Sequence, residues 1–339
     1  MAENARPMLL QSSPHIVSPV NARALMGHVL ISLAPASVFG VVIFGIPALA
    51  NILVGAATAL AAEALFRLAT KQDNRTGDLS AIVTGLLLAL IIPPTTPLWM
   101  TALGSVFAVV VAKEFFGGLG ANVFNPALVG RAFLLMSFPA ALTTWARPSA
   151  ILGAGADSVT GPTPLYFLKL GGGVGDVGAN FAALGLSASP DYWPTMKTLF
   201  WGNHGGSTGE TSILLVLAGG VYLLLTKTID WRAPAAMIAG AVLAALPAGL
   251  DPLFTVLSGG ILFGAVFMAT DYVSAPVTPA GKLIFGFGAG VITVLIRRWG
   301  AYPEGVTYGI LIMNAVTPFL NRLLQRKYGF VPKKKEAGK

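Results

Sequence analysis

Three apolar stretches in this sequence are too short or too interrupted to cross a bilayer cleanly, and they constrain the fold more than the full-length ones do. Residues 79–92 (LSAIVTGLLLALII) are cut off by Pro93-Pro94. Residues 257–270 (LSGGILFGAVFMAT) stop at Asp271, with Pro276 and Pro279 close behind, and residues 121–139 carry a Pro and an Arg within FNPALVGRAF. A spanning helix needs about 20 apolar residues at ~1.5 Å rise each, so these read as half-helices or broken helices. Around them, residues 24–44, 48–68, 97–114, 211–227, 233–250, 281–298 and 305–324 read as full spans. The chain is 55% hydrophobic and only 11% charged, where soluble domains carry about 25% charge. It is a polytopic membrane protein.

The short segments repeat. Each of the two shortest opens with Leu-Ser, passes a central Gly and stops at Pro or Asp before a full span. That span is followed by an aromatic-Gly pair, Phe116-Gly117 and then Trp299-Gly300, and by another apolar segment. The expected fold is therefore all-α, with about ten transmembrane or half-membrane helices in two inverted five-helix repeats. The expected division is a cytoplasmic N-terminal segment at 1–22, a first membrane repeat at 23–139 and an irregular extracytoplasmic loop at 140–210. A second repeat follows at 211–324, and a basic cytoplasmic tail at 325–339.

Orientation follows from Lys and Arg. With the N-terminus inside, the inner segments hold Arg6, Arg23, Arg67, Lys71, Arg75, Lys113, Lys227, Arg232, Lys282 and the basic tail, and the outer short loops hold Arg297 and Arg298. Both termini are expected in the cytoplasm. The tail supplies much of the net charge of +8 and reads as topogenic, with lipid head-group binding as the sharper alternative. The N-terminal segment lacks the continuous apolar core of a cleavable signal peptide.

The chain has no cysteine, which excludes disulfides, a thiolate-held iron–sulfur cluster and a Cys nucleophile within it. His15, His28 and His204 are far apart, so no His-built metal site is expected. Gly173, Gly175 and Gly178 fit G-x-G-x-x-G, but in an external loop without a βαβ pattern they read as plain loop. Nothing calls for a nucleic acid. Charges within the membrane are costly and mark ion paths or paired groups. Asp271, at the end of a broken helix, is the leading ion-path carboxylate. Glu63 (beside Arg67) and Glu114 (beside Lys113) are further candidates that local pairing also explains. Arg131 is the best internal cation for an anionic or electron-rich ligand.

One segment stands apart, DSVTGPTPLYF at 157–167. It places an exposed threonine hydroxyl on a tight turn, where Gly161 admits a bulky group and Pro164 fixes φ. With no base nearby the hydroxyl is a poor nucleophile, so no catalytic residue is expected; it suits a modification acceptor instead.

This run resembles the D-x-x-[ST]-G-A-T segment at which flavin is esterified in ion-pumping redox complexes. The resemblance extends to AKEFFGGLGANVFNPALVGRAFLLMSFP at 112–139, FMATDYVSAPVTPAGKLIFGFGAGVITVLIRRWGAYPEGV at 267–306 and LLLALIIPP at 86–94. Together these are similar to the D-type membrane subunit of Rnf electron-transport complexes, homologous to the B-type subunit of the Na+-translocating NADH:quinone oxidoreductase. The resemblance implies FMN held through its phosphate on Thr163, with Thr160, Gly161 and Asp157 at the small-hydroxyl, glycine and leading-acid positions. Pro162 departs from the usual Ala. STGET at 207–211 offers a rival acceptor, Thr211, which begins an apolar helix and lacks the leading acid and the trailing Pro-Leu. A non-covalent riboflavin in the membrane part is also implied, without a position.

By the same resemblance, the chain is expected to be a redox subunit in a bacterial or archaeal plasma membrane. It would relay electrons between ferredoxin and NAD+ with coupled Na+ or H+ export. Its partners would be the other subunits, among them a second covalent-FMN subunit and small membrane subunits, and a flavin transferase for maturation. The quinone-reducing relative is the alternative within the class. From another class, a non-redox channel or facilitator would share the repeats and broken helices but would not need the flavin-type segment.

Overall fold

The computed structural model describes residues 21–73, 75–146, 148, 163–165, 174–183, 185, 187, 189–300 and 304–323. The N-terminal segment, the basic tail, and Asp157, Thr160 and Gly161 of the flavin-type segment lie outside them. The described residues are helical throughout the membrane part and hold no multi-residue strand.

The first half begins with α1 (Ala22–Phe44), capped by Asn21, whose side chain accepts from the Ala24 N–H at 2.8 Å. Gly45, at φ 72°, reverses the chain into α2 (Ile46–Ala69), whose first turn carries Pro47. α3 (Ser80–Ile91) is the short helix expected from sequence. Asp78 holds its first N–H at 2.8 Å, and Pro93-Pro94 end it. α4 (Leu98–Val110) runs on through turns to Phe116, and α5 (Pro126–Ser137) is capped by Asn125. A single turn, α6 (Pro139–Leu142), leads out of this half.

Between the halves the described residues include α7 (Val174–Ala183) and α8 (Tyr192–Trp201). The sequence reading expected irregular chain here. The Gly- and Pro-rich flanks concealed two short amphipathic segments that pack on each other and on Phe254, with Val177, Phe181, Met196 and Leu199 buried between them. Gly175 and Gly178 are ordinary helical positions of α7, and Gly173 lies outside the described residues.

The second half consists of α9 (Ile213–Leu225), α10 (Arg232–Ala245), a broken helix, α13 (Pro279–Trp299) and α14 (Val306–Leu323). The broken helix is α11 (Pro252–Leu257), a kink at Ser258–Gly260 with Gly259 at φ 64°, then α12 (Ile261–Phe263) running into a π-helical turn over Gly264–Met268. Among the described residues four segments, Ala22–Phe44, Ile46–Ala69, Leu98–Phe116 and Pro279–Trp299, are long and apolar enough to cross a membrane. Their outward faces carry Ile31, Val38, Leu53, Leu65 and Leu295, as lipid contact requires.

Helix pairing uses small residues, the usual means of close approach where lipid supplies no hydrophobic drive. α2 meets α3 where Gly85 lies against the Gly55 carbonyl, and α10 meets α13 where Gly286 and Gly290 lie against the Ala233 and Met237 carbonyls. Across the halves, α1 packs on α9 and α5 on α14. The short and broken helices sit inside. Leu87, Leu88, Leu90 and Ile91 of α3, with Ile261, Phe263, Ala265 and Phe267 of the broken helix, form much of the central core. The two elements with irregular ends are thus the ones shielded from lipid.

Candidate functional site

Two groups of polar side chains lie at opposite ends of the interface between the halves. The first surrounds the start of α3. Lys113 is buried with its Nζ 2.8 Å from Glu63 Oε1 and 2.6 Å from Ser80 Oγ. Arg67 reaches Glu114 at 3.2 Å and donates to the Asp73 carbonyl at 3.1 Å. The dominant pairs are therefore Lys113–Glu63 and Arg67–Glu114; the local Arg67–Glu63 contact is long, at 3.9 Å. Sequence proximity suggested Glu63 with Arg67 and Glu114 with Lys113. The fold exchanges the partners because the end of α4 crosses the end of α2. Glu63 and Glu114 are thus committed to two cations in a neutral quartet.

Beside this quartet a cleft of ≈ 720 Å³, its open mouth included, runs between the halves. Ser80, Lys113, Asn122 and Asn125 from the first half face Thr270 and Asp271 from the second, and Met26, Val29, Leu87, Leu223 and Phe267 supply an apolar wall. Asp271 accepts from Ser274 Oγ at 2.7 Å, and it also borders an adjoining pocket with Thr228, Asp230 and Lys282. A mostly apolar cleft with a few convergent polar groups is the usual form of a small-molecule site. His28, also near this end, bonds Tyr222 Oη at 2.8 Å across the α1–α9 contact.

The second group lies toward the opposite ends of the helices. Arg131 of α5 is bound to Glu304, which precedes α14, and donates to Thr307 Oγ1 at 3.3 Å; Glu210 is 3.7 Å away. Arg297, near the end of α13, donates to the Thr255 carbonyl at 2.7 Å and the Ser258 carbonyl at 3.0 Å. It thereby satisfies backbone that the kink in the broken helix sets free. Sequence reading singled out Arg131 as a cation for a ligand. In the fold its charge is met by two glutamates instead, neither of which sequence reading selected. Their separation along the chain hid them.

Thr163 belongs to this second end. Sequence reading expected an exposed hydroxyl, but Thr163 is buried, 7% exposed, because Leu165 two residues on, 5% exposed, draws the chain into the core. Leu165 is seated at Gly259: a Cβ there would fall 2.5 Å from Leu165 Cδ1 and 2.9 Å from Arg297 Nη2. The next glycine, Gly260, faces Glu210 Oε1. The kink glycines therefore bring together the Thr163–Leu165 segment, Arg297 and Glu210. Among the described residues, Arg297 Nε and Ser258 Oγ at the same place are buried without a hydrogen-bond partner. The rival acceptor Thr211 is 1% exposed, just ahead of the Ser212 cap of α9. Among the described residues no three His, Cys, Asp or Glu side chains gather as metal ligands.

Residues 9–329 match the model of the family described as NQR2, RnfD, RnfE. The D subunit of the "proton-translocating ferredoxin:NAD(+) oxidoreductase complex" of Clostridium ljungdahlii is 42% identical over 93% of this chain and 94% of its own length. The D subunit of the "Na(+)-translocating ferredoxin:NAD(+) oxidoreductase complex" of Acetobacterium woodii is 40% identical over 98% and 99%. The D subunit of the "ion-translocating oxidoreductase complex" of Stutzerimonas stutzeri is 39% identical over 90% and 91%.

Proposed function

The chain belongs to the NQR2, RnfD, RnfE family, and from that premise we propose that it is the membrane flavoprotein subunit of an ion-translocating ferredoxin:NAD+ oxidoreductase complex. The observation that carries the reading is near full-length similarity to the D subunits of such complexes, alignable over nine-tenths or more of each chain. The quinone-reducing relative within the family is the weaker reading, since the relatives that are 42% and 40% identical carry the ferredoxin:NAD+ name.

FMN esterified to Thr163 is the proposed cofactor, and the local residues fit it. Thr163 lies in a segment anchored through Leu165, and the unpartnered Arg297 Nε and Ser258 Oγ are donors of the kind an anionic group takes. When bound, the flavin accepts and donates electrons; the chain needs no nucleophile of its own. Its residues hold the turn, exclude water and supply charge. Thr160, Gly161 and Asp157 complete the proposed attachment segment. For a non-covalent riboflavin we favour the cleft, whose apolar wall suits a flat heteroaromatic ring and whose Asn122 and Asn125 offer amide hydrogen bonds.

The pairing of α1 with α9 and α5 with α14, each the first or last helix of its half, supports two inverted five-helix repeats. We place both termini in the cytoplasm of a bacterial or archaeal cell, where Lys71, Lys113, Lys227 and Lys282 gather, and residues 140–210 outside. Asp271, open to the cleft from the second repeat, is the favoured carboxylate for the coupled Na+ or H+; Glu63 and Glu114 serve it through their buried quartet. The other subunits, including a second covalent-FMN subunit and small membrane subunits, would supply the substrate sites, and a flavin transferase would attach the FMN.

The test is in-gel flavin fluorescence of the denatured protein, co-expressed with the transferase, followed by peptide mass mapping. The reading requires an FMN adduct on the Thr163 peptide and its loss in Thr163→Ala. An adduct on the Thr211 peptide moves the site. No adduct, with the transferase active on a control substrate, favours the non-redox channel.

A further inference from the structure

Two arginines and Glu210, with the partly exposed Glu304 at the edge, form a neutral set, and the desolvation of its buried members is offset only while the charges balance. The two glutamates are not equivalent. Glu304 is in direct contact with Arg131, whereas the nearest cationic nitrogen to Glu210 is Arg131 Nη1 at 3.7 Å, beyond hydrogen-bond range. Four groups face Glu210: Arg131 from α5, Glu304 ahead of α14, Arg297 from α13, and Ser207 from its own segment. Of the two carboxylates, that of Glu210 is the less compensated. It also adjoins Gly260, one residue from the glycine that seats Leu165 and touches Arg297. A new negative charge on the Thr163 turn would upset the balance, and Glu210 is the member able to restore it.

We propose that Glu210 is the proton acceptor of the flavin-bearing turn. As one electron passes from a reduced one-electron carrier of the complex to the group on Thr163, the Glu210 carboxylate takes one proton from extracytoplasmic water. The carrier is oxidised by one electron, the flavin is reduced by one, and the charge delivered to the buried cluster is zero. This rests on the assignment of FMN to Thr163. Burial, with Glu304 adding to it against the pull of Arg131, pushes the Glu210 carboxyl up to about 7, where a small change in local charge is enough to protonate it.

The experiment uses the purified complex and two readouts: infrared difference spectra on stepwise reduction, and the midpoint potential of the Thr163-linked flavin against pH. The wild type should gain a protonated-carboxyl band on reduction, and the flavin's reduction equilibrium should shift tenfold per pH unit around neutrality. Glu210→Gln should lose both while keeping its fluorescent flavin; Glu210→Asp should keep the band at a shifted frequency and covers the case in which the Gln variant does not assemble. A band that persists in Glu210→Gln, or a potential whose pH dependence is unchanged there, overturns the proposal and leaves the flavin assignment intact. Absence of flavin from the wild-type Thr163 peptide defeats that assignment, and the proposal with it.

Discussion

At the scale of single residues, charge pairing dominates. Lys113 is 1% exposed and holds Glu63, which is fully buried. Lys113→Met would strand that carboxylate, and loss of one partner from a buried pair costs about 3–5 kcal/mol. Thermal unfolding of the detergent-purified complex should therefore show a large drop, with Glu63→Gln in the same background recovering much of it. Glu210 gives a pH signature. Its carboxyl is raised from 4.5 to about 7 by burial, so between those values the folded chain binds more protons than the unfolded one. Stability then falls as pH rises through that window, and Glu210→Gln should flatten the fall in a pH series of melting curves. The individual acids and Arg131 were legible in the sequence because charge inside an apolar run is conspicuous. Their partners were not: Arg131 meets Glu304 and Glu210 only after the two halves have packed, and no local pattern records that contact.

At the scale of elements, the interruptions and four of the seven expected full spans could be read closely because prolines, glycines and apolar length act locally. Residues 211–227 and 233–250, also expected to span, instead form helices of 13 and 14 residues. The expected segment at 79–92 is α3, and the one at 257–270 is the kinked helix with its π-helical turn. The helices at 174–183 and 192–201 could not be read so easily, since each is short and bounded by Gly, Ser and Pro. Helix contact makes its own prediction. A Cβ on Gly85 would collide with the Gly55 carbonyl, whereas one on Gly27 of α1 meets nothing within 4 Å. Gly85→Ala should lower stability by about 1–3 kcal/mol through forced separation of α2 and α3. Gly27→Ala, gaining helix propensity, should be neutral or slightly stabilising. Melting temperatures of the two variants measured side by side decide the matter.

For the whole molecule, the arrangement is a cleft at one end of the interface between halves and a closed charge cluster at the other. The absence of cysteine makes the proposed topology directly measurable, since this chain contributes no background to thiol labelling. Lys71→Cys and Lys227→Cys, both at exposed positions, should react with an impermeant maleimide only after the membrane is opened, while Asp191→Cys should react from outside intact cells. Labelling of all three from one side would refute the orientation.

The end of α3 carries an implication for biogenesis. Its last free carbonyls are taken by residues far along the chain: Gly209 N–H donates to Leu90 at 2.8 Å and Ser207 Oγ to Ile91 at 3.2 Å. When α3 leaves the ribosome those donors have not been synthesised, and hydrocarbon offers the bare carbonyls no substitute. A half-helix of this kind has to wait, in water or in the shelter of the insertion machinery, until more than a hundred further residues have followed it. The insertase, not the bilayer, is then the first environment in which the core of this protein exists.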